Sequence, residues 1–204
     1  VMKKEKLLIA SNNAGKVKEF RSLFSKLGFE VLSLKEAGLN IVVEEDQSDF
    51  AGNSYKKASE ISKRTGEITL ADDSGLEVES LGGQPGVYSA RFAGEDATDQ
   101  QNNRKLLARM KQVPEEKRKA CFHCVLTLYY PNGRYLQTEG RCPGKIGLFP
   151  SGDGGFGYDP LFLPDRYHNK TMAELSLEEK NRISHRAIAL QSMISLLRTK
   201  GGGD

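Results

Sequence analysis

The chain has 204 residues, 28% of them charged and 38% hydrophobic, with a formal net charge of +3 and a pI of about 8.7. That length suits one globular domain, and the mild charge is short of the clustered basic character, roughly pI 9 or more, of a dedicated nucleic-acid-binding protein. No apolar run reaches the ~18 residues that a membrane-spanning helix needs, and the N-terminus lacks a signal-peptide pattern, so we expect a cytoplasmic protein.

Strands and helices alternate in the first third of the chain. Short apolar runs bounded by polar residues indicate strands, and apolar residues at helical spacing, such as Val17, Phe20 and Phe24, indicate helices. We predict strands over 6–10, 30–34 and 68–71, and helices over 15–27 and 49–64.

Helix-capping and turn signals organise the remainder. Thr98 with Gln101 predicts a capping box for a helix through Met110, and a second box at Ser176 with Glu179 opens a short helix. The turn 131–133 predicts a hairpin between strands 120–130 and 134–140, and Ser184 caps a final helix to about residue 198. We therefore predict one α/β domain over residues 1–200, with a mixed, twisted sheet flanked by helices, and a frayed tail over 201–204.

Two adjacent carboxylates, Asp72 and Asp73, follow the apolar run 68–71 and precede Ser74 and Gly75. A buried strand that delivers such residues to a loop commonly places charge at the mouth of a cleft. The alternative is a capped turn, because Asp, Ser and Gly are ordinary turn residues.

The segment 11–16, Ser-Asn-Asn-Ala-Gly-Lys, joins the first predicted strand to the first helix. Backbone amides and the helix dipole favour phosphate at such a position. The segment departs from the P-loop pattern, since Ala10 replaces the first glycine and Val17 replaces the magnesium-binding Ser or Thr. We predict that Lys16 and the loop amides bind phosphate but not the metal; the alternative is an Asn-rich helix cap.

A metal ion that accompanies the phosphates must then be bound by carboxylates elsewhere in the chain. The acidic run 44–46 precedes the second long helix, and Mg²⁺ prefers a few carboxylates together with waters and substrate phosphates. One of the helix lysines, Lys56 or Lys57, would face the same site; the alternatives are a solvated acidic loop and an exposed helix surface.

Four glycines surround two aromatic residues, Phe156 and Tyr158, in the segment 151–160. Glycines permit close approach of a flat ligand, an aromatic face stacks on a base, and Asp159 would accept hydrogen bonds from ring nitrogens. The alternative is a flexible loop with one anchoring aromatic. His185 and Arg186 are predicted in the first turn of a helix, against the preference of its dipole, which hints at function.

Cys121, His123 and Cys124 suggest zinc, but strand alternation places Cys124 on the opposite face from the other two. We therefore expect Cys121, Cys124 and Cys142 to be reduced, structural thiols.

Four segments together resemble the inosine triphosphate pyrophosphatase family: 70–76 (LADDSGL), 82–91 (GGQPGVYSAR), 155–160 (GFGYDP) and 183–186 (ISHR). The resemblance runs from about Leu7 to Leu197, with the motifs in family order. It implies a magnesium-dependent enzyme that removes ITP, dITP and XTP from the nucleotide pool. It also implies an elongated fold with two lobes around a central nucleotide-binding cleft, usually as a homodimer, and no nucleic-acid or membrane partner.

The resemblance also implies roles for individual residues. Asp73 matches the proton acceptor and a metal ligand, Glu45 matches a second metal ligand, and Asp72 is a further candidate ligand. The matching substrate contacts are Ser11, Asn12, Asn13, Ala14, Gly15, Lys16, Lys57, Ser74, Phe156, Gly157, Tyr158, Asp159, Lys180, His185 and Arg186. Two departures are Gly52, where many relatives carry Glu, and Tyr158, where some carry Trp.

The expected reaction is hydrolysis between the α- and β-phosphates, with the lysines holding the pyrophosphate leaving group. Two alternatives stay open. The chain could be a pyrophosphatase for pyrimidine or modified nucleotides, or a nucleotide sensor without catalysis.

Overall fold

The computed structural model describes residues 5–200, with the side chain of residue 200 left out. Within that range the strands are β1 (Lys6–Ile9), β2 (Glu30–Ser33), β3 (Ile68–Val78), β4 (Lys119–Tyr129), β5 (Tyr135–Ile146) and β6 (Phe162–Pro164). The helices are α1 (Ala14–Phe24), α2 (Phe50–Thr65), α3 (Asp99–Arg109), α4 (Leu177–Ile183) and α5 (His185–Lys200). The predicted frayed tail, 201–204, lies outside the described residues. No helix within the described range is both long and apolar enough to cross a membrane.

The strands form one sheet in the order β2-β1-β3-β4-β5-β6. Strand β1 pairs in parallel with β2 and with β3, whereas β5 and β6 are antiparallel, so the predicted mixed α/β fold is confirmed. With β2 and β3 on opposite sides of β1, the chain reverses its direction of progress across the sheet at β1. The carboxyl end of such a strand is where open α/β sheets bind ligands.

Local signals located most element boundaries. Both predicted capping boxes form, at Thr98 with Gln101 and at Ser176 with Glu179, and Ser184 Oγ accepts the N–H of Ala187 at 3.2 Å. Helix α1 ends earlier than predicted, because residues Ser25–Leu27 tighten into a 3₁₀ turn. Strand β5 extends beyond the predicted hairpin, as far as Ile146.

The expectation that Asp72, Asp73 and Ser74 lie on a loop was wrong. Strand β3 runs through all three and ends only at Val78, and both carboxylates are buried, with 2% and 5% of their surface exposed. Strand pairing here outweighs the turn preference of Asp, Ser and Gly, because the carboxylates have partners inside the protein, whereas in an exposed turn they would contact solvent.

The chain divides into two compact units, Val1–Asp73 with Val125–Thr138, and Ser74–Cys124 with Glu139–Asp204. The prediction of one domain over 1–200 stays a prediction. The core of unit 1 joins the sheet to α2 and includes Leu8, Ala58, Ile61, Ala71 and Tyr129. A core cluster of unit 2 includes Leu76, Leu106, Phe122, Phe162 and Ile183.

The three cysteines are free thiols. Cys124 and Cys142 are buried, whereas Cys121, on the other face of β4 from Cys124, is half-buried. Burial raises the pKa of the Cys142 thiol to about 12, which keeps it protonated and unreactive at neutral pH.

Candidate active site

The segment 11–16 follows β1 and begins α1 in unit 1. Asn13 caps the helix by accepting the N–H of Lys16 at 3.1 Å, and Ser11 Oγ accepts the N–H of Asn13 at 3.1 Å. The predicted Asn-rich cap therefore exists, and it orders the loop at the strand end where a phosphate site was predicted. Asn12, Asn13 and Ala14 are exposed, as a loop that receives a ligand must be.

Asp72 and Asp73 have different partners. Lys16 Nζ lies 2.8 Å from Asp72 Oδ2, and the Asp72 side chain is 1% exposed. Asp73 Oδ2 instead accepts a hydrogen bond of 3.0 Å from Asn53 Nδ2 on α2. Successive residues of a strand point to opposite faces, which explains why adjacent carboxylates contact different helices.

Burial dominates the titration of Asp73. It raises the pKa of this carboxyl from its usual 3.8 to about 6, and the negative charge of Glu45 acts in the same direction. Lys57, Lys16 and the hydrogen bond from Asn53 oppose the rise without cancelling it. Asp73 is therefore a carboxylate that can take up a proton near neutral pH.

Lys57 and Glu45 form a close pair in the same group. Lys57 Nζ lies 2.6 Å from Glu45 Oε1, with 12% of the lysine side chain exposed. Burial by itself would lower the pKa of Lys57, but the carboxylates of Asp72, Glu45 and Asp73 outweigh it and raise that pKa above its usual value. The neighbouring pair, Lys56 with Asp46 at 2.8 Å, is more exposed, which favours Lys57 as the lysine of the site.

A metal ion in unit 1 would have few carboxylate ligands from the protein. The described residues contain no cluster of three or more His, Cys, Asp or Glu side chains able to hold a metal. Magnesium normally takes one or two carboxylates and completes its shell with water and phosphate. Asp73 Oδ2 accepts the hydrogen bond from Asn53, which leaves the other carboxylate oxygen, Oδ1, as the atom that such a ligand would use.

An aromatic ring with two cations characterises the predicted base-binding segment in unit 2. Lys180 Nζ and the Arg186 guanidinium lie 5.1 and 4.8 Å from the centroid of the Phe156 ring. Lys180 also pairs with Asp159 Oδ2 at 2.8 Å, and the same oxygen accepts the Phe156 N–H at 3.1 Å. Since this oxygen already has two donors, Asp159 acts here as a support for Phe156 and Lys180.

Tyr158 does not belong to the aromatic surface that was predicted. Its ring packs in the core of unit 2, with 4% exposed, and its hydroxyl donates to Ser89 O at 2.7 Å. The aromatic face of this segment is that of Phe156, which is half-buried.

Three of the four glycines serve the chain's own packing. A Cβ at Gly152 would lie 2.8 Å from Glu174 Cγ. A Cβ at Gly154 would lie 2.6 Å from Ala173 O, and one at Gly155, where φ is +74°, would lie 2.1 Å from Asp159 Oδ2. A Cβ at Gly157 would meet no atom within 4 Å. The close approach of a ligand to the backbone is thus left to Gly157 rather than to the whole segment.

The first turns of α3 hold the peptide of Gly157 on both sides. Asp99 Oδ2 accepts the Gly157 N–H at 2.7 Å, and Asn103 Nδ2 donates to Gly157 O at 2.9 Å. Sequence reasoning missed both residues. The capping box at Thr98 located the start of the helix, but no local signal indicates a partner more than fifty residues away.

The remaining predicted contacts are buried or half-buried in unit 2. The His185 ring stacks on Phe122 with centroids 4.8 Å apart, and His185 and Arg186 are 3% and 6% exposed. Ser74 is half-buried in β3. A cavity of about 940 Å³ also lies in unit 2, but its lining, which includes Glu77, Glu79, Glu115, Glu116 and Lys145, contains no predicted site residue. A mainly acidic lining repels phosphate, so the side-chain chemistry indicates the site better than cavity size does.

Comparison with known proteins identifies the family. The model of the Ham1 family matches residues 7–196. The chain belongs to the Ham1 family. A dITP/XTP pyrophosphatase of Desulforamulus reducens is 50% identical over 192 residues, which cover 94% of this chain and 95% of the relative.

Solved structures of Ham1 proteins share the fold. The Coxiella burnetii protein superposes with a TM-score of 0.86 at 38% identity, covering 96% of this chain and 99% of the other. The Staphylococcus aureus Ham1 protein gives a TM-score of 0.85 at 38% identity, covering 96% and 100%.

Proposed function

We propose that this Ham1-family chain hydrolyses deaminated purine nucleoside triphosphates, namely ITP, dITP and XTP, to the nucleoside monophosphate and pyrophosphate. The observation that carries the proposal is the cluster of Lys16, Glu45, Lys57, Asp72 and Asp73, which we call the unit 1 group. A buried carboxylate, Asp73, with a pKa of about 6 lies in the field of two lysines, Lys16 and Lys57. A base and a phosphate-binding pair are the parts that phosphoryl transfer requires.

In the proposed reaction a water oxygen forms a bond to the α-phosphorus while the bond from that phosphorus to the α,β-bridging oxygen breaks. Asp73 takes the proton of the water, and pyrophosphate leaves with the bridging oxygen. Lys16 and Lys57 neutralise the charge that develops on the leaving group, which lowers the barrier more than it stabilises bound substrate.

We further propose that Glu45 and Asp73 hold Mg²⁺. When bound, the ion would supply a Lewis acid that neutralises phosphate charge. Lys57 pairs with Glu45 and Lys16 pairs with Asp72. A substrate phosphate would replace the carboxylate as the partner of each lysine. Asp72, which is almost fully buried against Lys16, suits a supporting role.

Base recognition is assigned to Phe156, Lys180 and Arg186. The Phe156 ring would stack on the purine, which contributes ~1–3 kcal/mol for a base on an aromatic ring. A cationic donor such as Arg186 pairs with the 6-oxo group of hypoxanthine or xanthine but meets another donor at the 6-amino group of adenine. An unpaired buried donor can exclude the wrong base by several orders of magnitude.

We also infer that the protein acts as a homodimer in the cytoplasm, without nucleic acid. The nucleotide pool is located there, and carboxylates repel a phosphate backbone unless a metal ion lies between them.

The decisive experiment measures pyrophosphate release from ITP, XTP, GTP, ATP, dTTP and UTP with Mg²⁺. We expect ITP and XTP to be preferred, and Asp73→Asn to lose activity while Glu116→Gln, an exposed acid, keeps it. Equal turnover of all six nucleotides would contradict the proposed specificity. Preference for dTTP or UTP would favour a pyrimidine enzyme, and ITP binding without turnover a sensor.

A further inference from the structure

Asn53 is a fully buried polar residue of α2 that none of the roles above uses. None of its surface is exposed. Its Nδ2 donates to Asp73 Oδ2 at 3.0 Å, and its Oδ1 accepts the backbone N–H of Gln47 at 2.9 Å. A buried amide with both ends engaged is held in one orientation, because losing either bond leaves a desolvated polar group.

The two bonds also determine which end of the amide faces Asp73. The backbone N–H of Gln47 can only donate, so the atom opposite it must be the carbonyl oxygen of Asn53. The NH₂ group therefore faces Asp73 and requires an acceptor there. One oxygen of the carboxylate is held in this way, and the other is left for a ligand.

Asn53 also links strand β3 to the loop that contains Glu45. Gln47, whose N–H it accepts, is two residues from Glu45, and Asp73 lies on the strand. Gly52 permits the close packing of this loop on α2, since a Cβ there would lie 2.9 Å from Gln47 Cβ. A single side chain thus spans the two segments that carry the acids Glu45 and Asp73.

We propose that Asn53 is a positioning residue that orients the Asp73 carboxylate and fixes its placement relative to the Glu45 loop. The inference deepens the proposed function and rests on it. Groups that hold a metal ligand or general base by hydrogen bonding typically change metal affinity or activity by about 10–100-fold when removed. Asn53 itself need not touch the substrate.

The test compares Asn53→Asp, Asn53→Ala and the control Ser54→Ala. The Asp variant keeps the volume and the acceptor for Gln47 but replaces the donor to Asp73, which makes it the decisive variant. Ser54 is equally buried on the same helix, and its hydroxyl forms hydrogen bonds with Ala71 O and Thr127 Oγ1 rather than with Asp73.

We measure kcat and KM for ITP, the Mg²⁺ concentration for half-maximal activity, Mn²⁺ binding by calorimetry and the Tm. We expect both Asn53 variants to lower kcat by about tenfold or more and to weaken Mn²⁺ binding, with KM changed by less than about threefold. Ser54→Ala should lower the Tm but leave kcat and Mn²⁺ affinity within about twofold of wild type.

Wild-type kcat and Mn²⁺ affinity in Asn53→Asp would overturn the proposal and leave Asn53 a structural residue. If the wild-type chain releases no pyrophosphate from ITP, the proposed function fails. The Mn²⁺ titration then judges Asn53 separately, because weakened binding in Asn53→Asp supports the positioning role and unchanged binding refutes it.

Discussion

Replacing Asp73 with Asn should stabilise the metal-free protein while abolishing its activity. Burial raises the pKa of Asp73 from 3.8 to about 6, so ionised Asp73 lowers the free energy of unfolding at neutral pH. A pKa difference of this size corresponds to roughly 3 kcal/mol at neutral pH, since each pKa unit is ~1.4 kcal/mol. Asn is nearly isosteric and neutral, and its oxygen can still accept from Asn53. In a chain of this length the gain would raise the Tm by about 6–12 °C.

The pH dependence has a definite sign. Between pH 3.8 and about 6 the folded state binds more protons at Asp73 than the unfolded state does. The contribution of this group to stability therefore falls as the pH rises through that window, and it is constant above it. The stability advantage of Asp73→Asn should accordingly be full at pH 7.5 and vanish near pH 4.

Urea unfolding in EDTA at pH 7.5, 6, 5 and 4 tests this reasoning, with Asp72→Asn as the matched control. Asp72 is paired with Lys16 at 2.8 Å, so its neutralisation leaves a lysine without its partner and should destabilise the protein at pH 7.5. Adding Mg²⁺ should raise the Tm of the wild type but not of Asp73→Asn. A destabilised Asp73→Asn, or a stability difference independent of pH, would refute the assigned cost of burying Asp73.

Two further predictions concern unit 2. Phe156→Leu should raise KM for ITP about tenfold, with kcat changed less than about threefold, because base stacking is lost. Steady-state kinetics measure both constants, with Phe149→Leu, a ring 70% exposed, as the control. Equal KM values for the two variants would contradict the stacking role of Phe156. The buried guanidinium of Arg118 donates to the carbonyls of Ile146, Met110, Val113 and Gly147. Arg118→Met should therefore lower the free energy of unfolding, measured in urea at pH 7.5, by about 2–4 kcal/mol. The control Arg109→Met, at an exposed arginine, should change it by less than about 0.5 kcal/mol.

Local chemistry made much of the fold predictable. Thr98 with Gln101 and Ser176 with Glu179 are signals that act within four residues, and both form the predicted caps. The mixed sheet was predictable from the alternating elements and from the hairpin turn, whereas the short strand β6 and its antiparallel pairing with β5 were not predicted. The same local reasoning failed at Asp72 and Asp73, because turn preference is a property of the isolated segment and burial depends on strands distant in sequence.

The residue types of the proposed site could be listed from the sequence, whereas the contacts among them could not. Residue types and the resemblance pointed to Lys16, Asp73 and Phe156. They did not indicate that Tyr158 would enter the core or that Asp99 and Asn103 would hold Gly157. Such pairs join residues 58 and 54 positions apart, and their hydrogen bonds exist only once the chain has folded.

The position of Asp73 within a strand has a consequence for how substrate preference can change. A carboxylate on β3 cannot shift without breaking strand pairing, whereas the segment that carries Phe156 contains glycines at positive φ at 152, 155 and 157. Loops adjust their backbone more readily than sheet strands do. On the roles proposed for Phe156 and Asp73, changes near Phe156 would alter the base preference while the phosphate chemistry of unit 1 stays intact.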